Sequence, residues 1–111
     1  MYYYGYTNEK TNKPKFKAKF GEITELKPKH DSHSSFNGRA YFASDKKGNV
    51  FLISYNTVVL GFNAESGFHR LWGDYSVTTM RHISEFCKQL GYPAMSKKTW
   101  DSMPVETWEG F

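Results

Sequence analysis

A chain of 111 residues with one cysteine, Cys87, and a net charge of +4 has the size of a single domain with one modest core, and it has no cysteine pair for an internal disulfide or a CxxC zinc site. Its longest apolar runs, such as Val58 to Leu60, are far too short to cross a bilayer, and no N-terminal leader pattern is present, so a soluble protein in a reducing, cytoplasmic setting is expected.

The positive charge is unevenly placed. Residues 1–47 carry ten Lys or Arg against five Asp or Glu, and residues 48–111 carry five against six. The chain opens on a Tyr-rich stretch containing Tyr3 and Tyr4, read as a strand leading into a polar loop. In KPKFKAKF, Lys13, Lys15, Lys17 and Lys19 alternate with Pro14, Phe16, Ala18 and Phe20, which in an extended segment sorts lysines to one face. Two readings fit: a basic stripe that tracks a phosphate backbone or an acidic groove, or an edge strand whose lysines keep other molecules from pairing with it. Ile23 to Lys29 reads as a short strand closed by Pro28, bringing Lys27 and Lys29 to the same basic part. Residues 30–38 are a cluster of turn formers. Their His30, Asp31 and His33 have metal-ligand character, but with no cysteine pair to complete a zinc site the signal is weak and whether they bind a metal stays open; no metal or cofactor is counted on.

From Arg39 the pattern becomes that of a strand meander over residues 38–72. Arg39 to Ser44 is one strand, Asp45 to Asn49 a turn with Gly48 at the position needing positive φ, and Val50 to Tyr55 the second strand of a hairpin. Tyr55-Asn56 is either a tight turn or a bulge; Thr57 to Phe62 continues as strand, and a turn ending at Gly67 leads to a strand through Trp72. VFLI and VVL barely alternate, so these strands are expected to be covered on both faces.

After Tyr75 the period changes to about 3.6: Val77, Met80, Ile83, Phe86, Cys87 and Leu90 fall on one side of a helix spanning about 77–90. Ser76 stands where its hydroxyl can cap the first turn, and Gly91 with Pro93 supplies the stop. The hydroxyls of this segment are therefore read as helix-start chemistry rather than as nucleophiles, since no base and third group accompany them. His82, at the border of the apolar arc, is expected half buried with one nitrogen bonded to a strand carbonyl. His69 reads as structural and Cys87 as a small hydrophobe. The C-terminal part, residues 96–111, reads as a short helical turn from Ser96 followed by a segment whose Trp100, Met103, Val105, Trp108 and Phe111 dock on the sheet or wait exposed for a partner.

The fold expected is thus α+β: a single domain with an antiparallel sheet of four to six strands and one main helix packed on one face. Its core is expected to comprise Phe42, Val50, Leu52, Val58, Leu60, Leu71, Met80, Ile83, Phe86, Cys87 and Leu90.

Ser54, Tyr55 and Thr57, followed by Tyr75, Ser76, Thr78, Thr79, His82, Ile83 and Phe86, form a Ser-Tyr-x-Thr strand and a Tyr-Ser-x-Thr-Thr-x-x-His-Ile-x-x-Phe helix start. This pattern resembles a group of small uncharacterised proteins of phages, plasmids and other mobile elements of Gram-positive bacteria. The resemblance covers about a third of the chain and implies a setting, the cytoplasm of a bacterial host, rather than a mechanism. In that setting a short chain without recognisable catalytic groups is expected to be a non-enzymatic binding protein, an anti-CRISPR-like inhibitor that binds a host protein or ribonucleoprotein such as a CRISPR effector nuclease. The alternative is a direct nucleic-acid-binding module. Either would use Tyr3, Tyr4, Lys13, Lys15, Lys17, Lys19, Lys27, Lys29, Arg81 and Trp100 as contact residues.

Overall fold

The computed structural model of the protein describes residues 2–4, 16–19, 21–29, 39–55, 57–106 and 108–109. Five strands, β3 (Glu22–Glu25), β4 (Ala40–Ser44), β5 (Val50–Ser54), β6 (Thr57–Asn63) and β7 (Gly67–Arg70), pair in chain order as an antiparallel meander. They follow β1 (Tyr2–Tyr4) and β2 (Phe16–Lys19), and are followed by helices α1 (Val77–Gln89) and α2 (Lys97–Ser102) and a last short strand, β8 (Trp108–Glu109). The fold is α+β. Among the described residues no helix is long and apolar enough to cross a membrane.

The turns follow from their side chains. At the β4–β5 turn, Asp45 Oδ1 accepts the backbone N–H groups of Lys47 and Asn49, each at 2.9 Å, and Gly48 takes the positive φ of 83° that a side chain would disfavour. Asn49, 4% exposed, passes the network on by accepting from Asn63 Nδ2 at 2.7 Å, joining two hairpins at one end of the sheet. Between β5 and β6, Ser54 pairs with Thr57, so two residues make the connection, and Tyr55 adopts φ 49° there. A bulge lies beside it: Leu52 pairs with Leu60 but Ile53 with Val58, leaving Val59 as the extra residue. Tyr55 therefore lies in a turn, and the bulge at Val59 is separate from it, while Asn56 lies outside the described residues.

Helix α1 begins where Ser76 accepts the Thr79 N–H at 3.0 Å. It ends in paired bonds from Gly91 N to Lys88 O and from Tyr92 N to Cys87 O, both at 3.0 Å; this reverse turn places Gly91 at φ 90°. The buried side of the helix lies over the meander. Ile83, Phe86 and Cys87 join Leu52, Val59, Leu60, Leu26, Ala40 and Trp100 in one core cluster, with Phe42, Val50, Met80 and Leu90 packed around it. The rings of Phe42 and Phe86 meet at 5.5 Å. On the other face Ala43, Phe51, Ile53, Val58 and Leu71 form a second cluster, each no more than 3% exposed. The weakly alternating runs are thus buried on both faces, and the eleven expected core residues divide between two clusters instead of sharing one.

Three expectations need correction. Strand β3 stops at Glu25, because Leu26 leaves the ladder to enter the core, 2% exposed, while still donating its N–H to Ala40 O at 2.9 Å. Strand β7 stops at Arg70, although Leu71 donates to Val59 O at 3.0 Å. Finally, β2 is not an edge: it lies between β1, antiparallel, and β8, parallel, in a separate three-stranded sheet, so the protective-edge reading fails for Lys17 and Lys19, while Lys13 and Lys15 lie outside the described residues.

Candidate functional site

Among the described residues, four groupings of polar or exposed side chains could carry function. The first gathers the residues of the strand and helix-start motifs. Ser54, at the end of β5, places its Oγ 2.8 Å from His82 Nδ1 and 3.1 Å from Thr79 Oγ1. His82 is three residues beyond Thr79 on α1, so both face the same strand end. Ser54, Thr79 and His82 are 2%, 3% and 0% exposed. Tyr55 lies over the imidazole, with ring centroids 5.6 Å apart at 34°, and closes the network from outside. His82 is therefore fully buried, not half buried, and its strand partner is a side-chain hydroxyl where a backbone carbonyl was expected. A hydroxyl between two polar atoms can donate to one and accept from the other, which locks the helix onto β5. With all three groups covered, a substrate has no approach to the serine oxygen.

One turn further along, Glu85 is 1% exposed and its Oε2 accepts from Gln89 Nε2 at 2.7 Å; the same amide donates to Lys27 O at 2.8 Å. This anchors the backbone after β3 while leaving Lys27 and Lys29 exposed.

The second grouping centres on Arg70, 7% exposed. Its Nε donates to Trp72 O at 2.9 Å, and one terminal nitrogen donates to Trp100 O at 2.9 Å and reaches Met103 O at 3.4 Å. The guanidinium lies 4.4 Å from the Trp100 ring centroid, and Trp100 Nε1 donates to Asp74 O at 3.0 Å. Backbone carbonyls and an aromatic face thus satisfy the planar fork, and they fasten α2 to β7. Trp100 is 0% exposed. It docks, and its reading as an exposed contact residue is withdrawn.

The third grouping was missed from the sequence. Ser66 Oγ lies 2.7 Å from His69 Nε2, and His69 Nδ1 lies 2.9 Å from Glu106 Oε2. The parallel bridge of Val105 to Arg70 brings the distant carboxylate here. This is the connectivity of a nucleophile, base and orienting acid, which the sequence reading had not found anywhere in the chain. It lacks the other half of the machinery. Ser66 sits on an exposed turn, and its own N–H, like that of Glu65, is taken by Asn63 Oδ1, so the amide that would polarise a carbonyl is already engaged. The chain of contacts instead ties the β6–β7 turn to the segment after α2.

The fourth grouping faces outward. Along the outward side of the first two turns of α1 lies an open, shallow groove of about 280 Å³ lined by Tyr75, Val77, Met80, Arg81 and Ser84. Val77 is 62% and Tyr75 37% exposed, a large apolar exposure for the first turn of a helix. Lys97 Nζ stands 4.9 Å from the Tyr75 ring centroid, and the neighbouring Asp101 carboxylate raises the pKa of its ammonium, keeping it charged. Ser84 Oγ donates to Met95 O at 3.4 Å, tying α1 to the segment before α2.

Of the expected contact residues, Arg81 alone falls in this groove. Lys27 and Lys29 lie at the other end of α1. Tyr3 pairs with Ala18 and Tyr4 with Lys17 in the second sheet, where Lys19 pairs with Tyr2; Lys13 and Lys15 lie outside the described residues, as do His30, Asp31 and His33. Among the described residues no group of three His, Cys, Asp or Glu could hold a metal ion.

Compared with known proteins, residues 24–102 match a family model described as a family of unknown function (DUF8033). That span runs from within β3 through α2 and contains all four groupings except for Met103, Val105 and Glu106. No curated protein and no solved structure matches the chain.

Proposed function

The chain belongs to this family of unknown function, and from its geometry we propose that it acts by binding a macromolecule through the outward face of α1 and α2, not by catalysis. One observation carries the reading: among the described residues, polar groups that could do chemistry are buried as fasteners or lack an oxyanion site, whereas an aromatic ring, a valine, a methionine and an arginine line an open groove with Lys97 beside its tyrosine. Aromatic and guanidinium groups around a small apolar floor are the usual anchors of protein contacts. The likeness of the Ser54–Phe86 pattern to mobile-element proteins supplies the class of partner, a host protein or ribonucleoprotein such as a defence nuclease that the contact would inhibit.

The test is affinity capture from a Gram-positive host lysate with the native chain, with Val77→Asp and Arg81→Glu, and with Ser54→Ala as a variant of the buried network. The reading expects one stoichiometric partner that is lost with the first two variants and kept by the third. A partner retained by both groove variants, or oligonucleotide binding that both leave intact, would remove this face from the function.

A further inference from the structure

We propose that Ser66 is a modification site: its hydroxyl takes an acyl group from an activated neutral donor of the acyl thioester class, once per chain, with His69 as the base and Glu106 as a positioning residue. The transfer is stoichiometric, so it goes beyond the binding role above and does not depend on it.

The geometry assigns the parts. The turn between β6 and β7, with Gly67 at φ 84°, returns the chain so that Ser66 Oγ lies 2.7 Å from His69 Nε2. Glu106 is held against β7 by its own N–H, which donates to Arg70 O at 2.8 Å, and its Oε2 stands 2.9 Å from His69 Nδ1. A carboxylate only accepts, so it fixes the imidazole proton on Nδ1 and leaves Nε2 to accept from the serine hydroxyl. Ser66 is exposed, and a donor can approach it from solvent.

The same turn limits the reaction. Asn63 Oδ1 accepts the N–H groups of Glu65 and Ser66 at 2.8 and 3.2 Å, so neither amide can stabilise a tetrahedral oxyanion. Donors with poor leaving groups, such as amides, are therefore excluded, whereas a thioester releases a stable thiolate. Glu65 and Glu106 flank the hydroxyl, which disfavours anionic phosphoryl donors. In the transfer, the Ser66 Oγ–H proton passes to His69 Nε2, the new Oγ–C bond forms, the C–S bond breaks, and the departing thiolate takes the proton. Hydrolysis of the resulting ester would need the oxyanion support that is missing, so the acyl group stays on Ser66.

The test treats the full chain with the acetyl thioester of N-acetylcysteamine and maps acetyl groups by peptide mass spectrometry. Ser66 should be acetylated, to no more than one equivalent, at least about tenfold faster than Ser102, an exposed serine bonded to a carbonyl with no base beside it. His69→Gln should slow the Ser66 adduct about a hundredfold. Glu106→Gln, whose amide can donate to Nδ1 and so admits the wrong tautomer, should also slow it, and Glu106→Asp should restore part of the rate. Labelling of Ser66 no faster than of Ser102 in the native chain, acetyl on lysines or on His69 alone, a Ser66 rate indifferent to His69→Gln, or equal labelling by acetyl phosphate overturns the proposal. Thiol release continuing beyond one equivalent overturns its stoichiometric character.

Discussion

Ser54 and His82, twenty-eight positions apart in the chain, meet through a 2.8 Å contact between Oγ and Nδ1 inside the protein. The contact joins the last residue of β5 to the second turn of α1, and Thr79 shares the same serine oxygen. Ser54→Ala takes one partner from each of these groups and should cost about 1–3 kcal/mol, the range for a buried polar atom deprived of a bond. Urea denaturation of Ser54→Ala, Thr79→Val and the double variant checks it. Less than additive losses are expected, since both substitutions break one network; strictly additive losses would mean that the hydroxyls act independently.

Arg70 is the second fastener. Lysine carries the charge but not the planar fork, so Arg70→Lys should cost about 2 kcal/mol and release α2 before the sheet unfolds. Hydrogen exchange of the Trp100 indole N–H, bonded to Asp74 O, is the readout. Faster exchange there than at the amides of β5 is expected; equal acceleration throughout would count against a local clasp.

Gly61 pairs with Phe51 across β5 and β6, and a Cβ built on it would stand 3.2 Å from two carbons of the phenyl ring. Phe51 is 0% exposed and has little room to move, so Gly61→Ala should destabilise by about 1–3 kcal/mol through overpacking. At Gly21 the nearest atom to such a Cβ is Ser44 O at 3.9 Å. Gly21→Ala should therefore stay within about 0.5 kcal/mol of the native chain by thermal melting.

Burial pushes the Cys87 thiol from its ordinary 9.0 up to about 12. Above about pH 9 the unfolded chain gives up this proton while the folded chain keeps it. Unfolding is thus favoured progressively as pH rises from about 9 to about 12, and below that window the thiol makes no pH-dependent contribution. Denaturation midpoints measured on both sides of pH 9 should fall less steeply for Cys87→Ala than for the native chain. A thiol-reactive dye should label Cys87 only after unfolding.

Much of this architecture is written locally. The Ser76 cap, the 3.6-residue period from Val77 and the Asp45–Asn49 turn each depend on a few neighbouring side chains, and each appears where the sequence places it. The features that escape the sequence depend on register and on backbone acceptors. The Val59 bulge is a property of how β5 meets β6. Arg70 is satisfied by the carbonyls of Trp72, Trp100 and Met103, acceptors that every residue possesses and that leave no compositional trace. Ser66, His69 and Glu106 come together only because Val105 bridges to Arg70. Arg81 was legible as an outward cation by its place on the helical wheel, but the placing of Lys97 beside the Tyr75 ring required knowing how α2 returns. Trp100 was drawn in two directions, as a docking residue and as an exposed anchor, and its N–H bond to Asp74 with a cation over its ring decides for docking.

The account turns on the imidazole of His82 being enclosed, a fastener with Tyr55 as its cover, and acylation of histidines by diethyl pyrocarbonate in the native chain measures that enclosure directly. Peptide mapping should find His69, whose side chain is 18% exposed, modified well before His82. Tyr55→Gly, which removes the ring and relaxes the positive φ, should raise the His82 rate while the fold persists. Native His82 reacting as fast as His69 would contradict the account, because an imidazole open to a small electrophile beside two hydroxyls belongs to a reactive site.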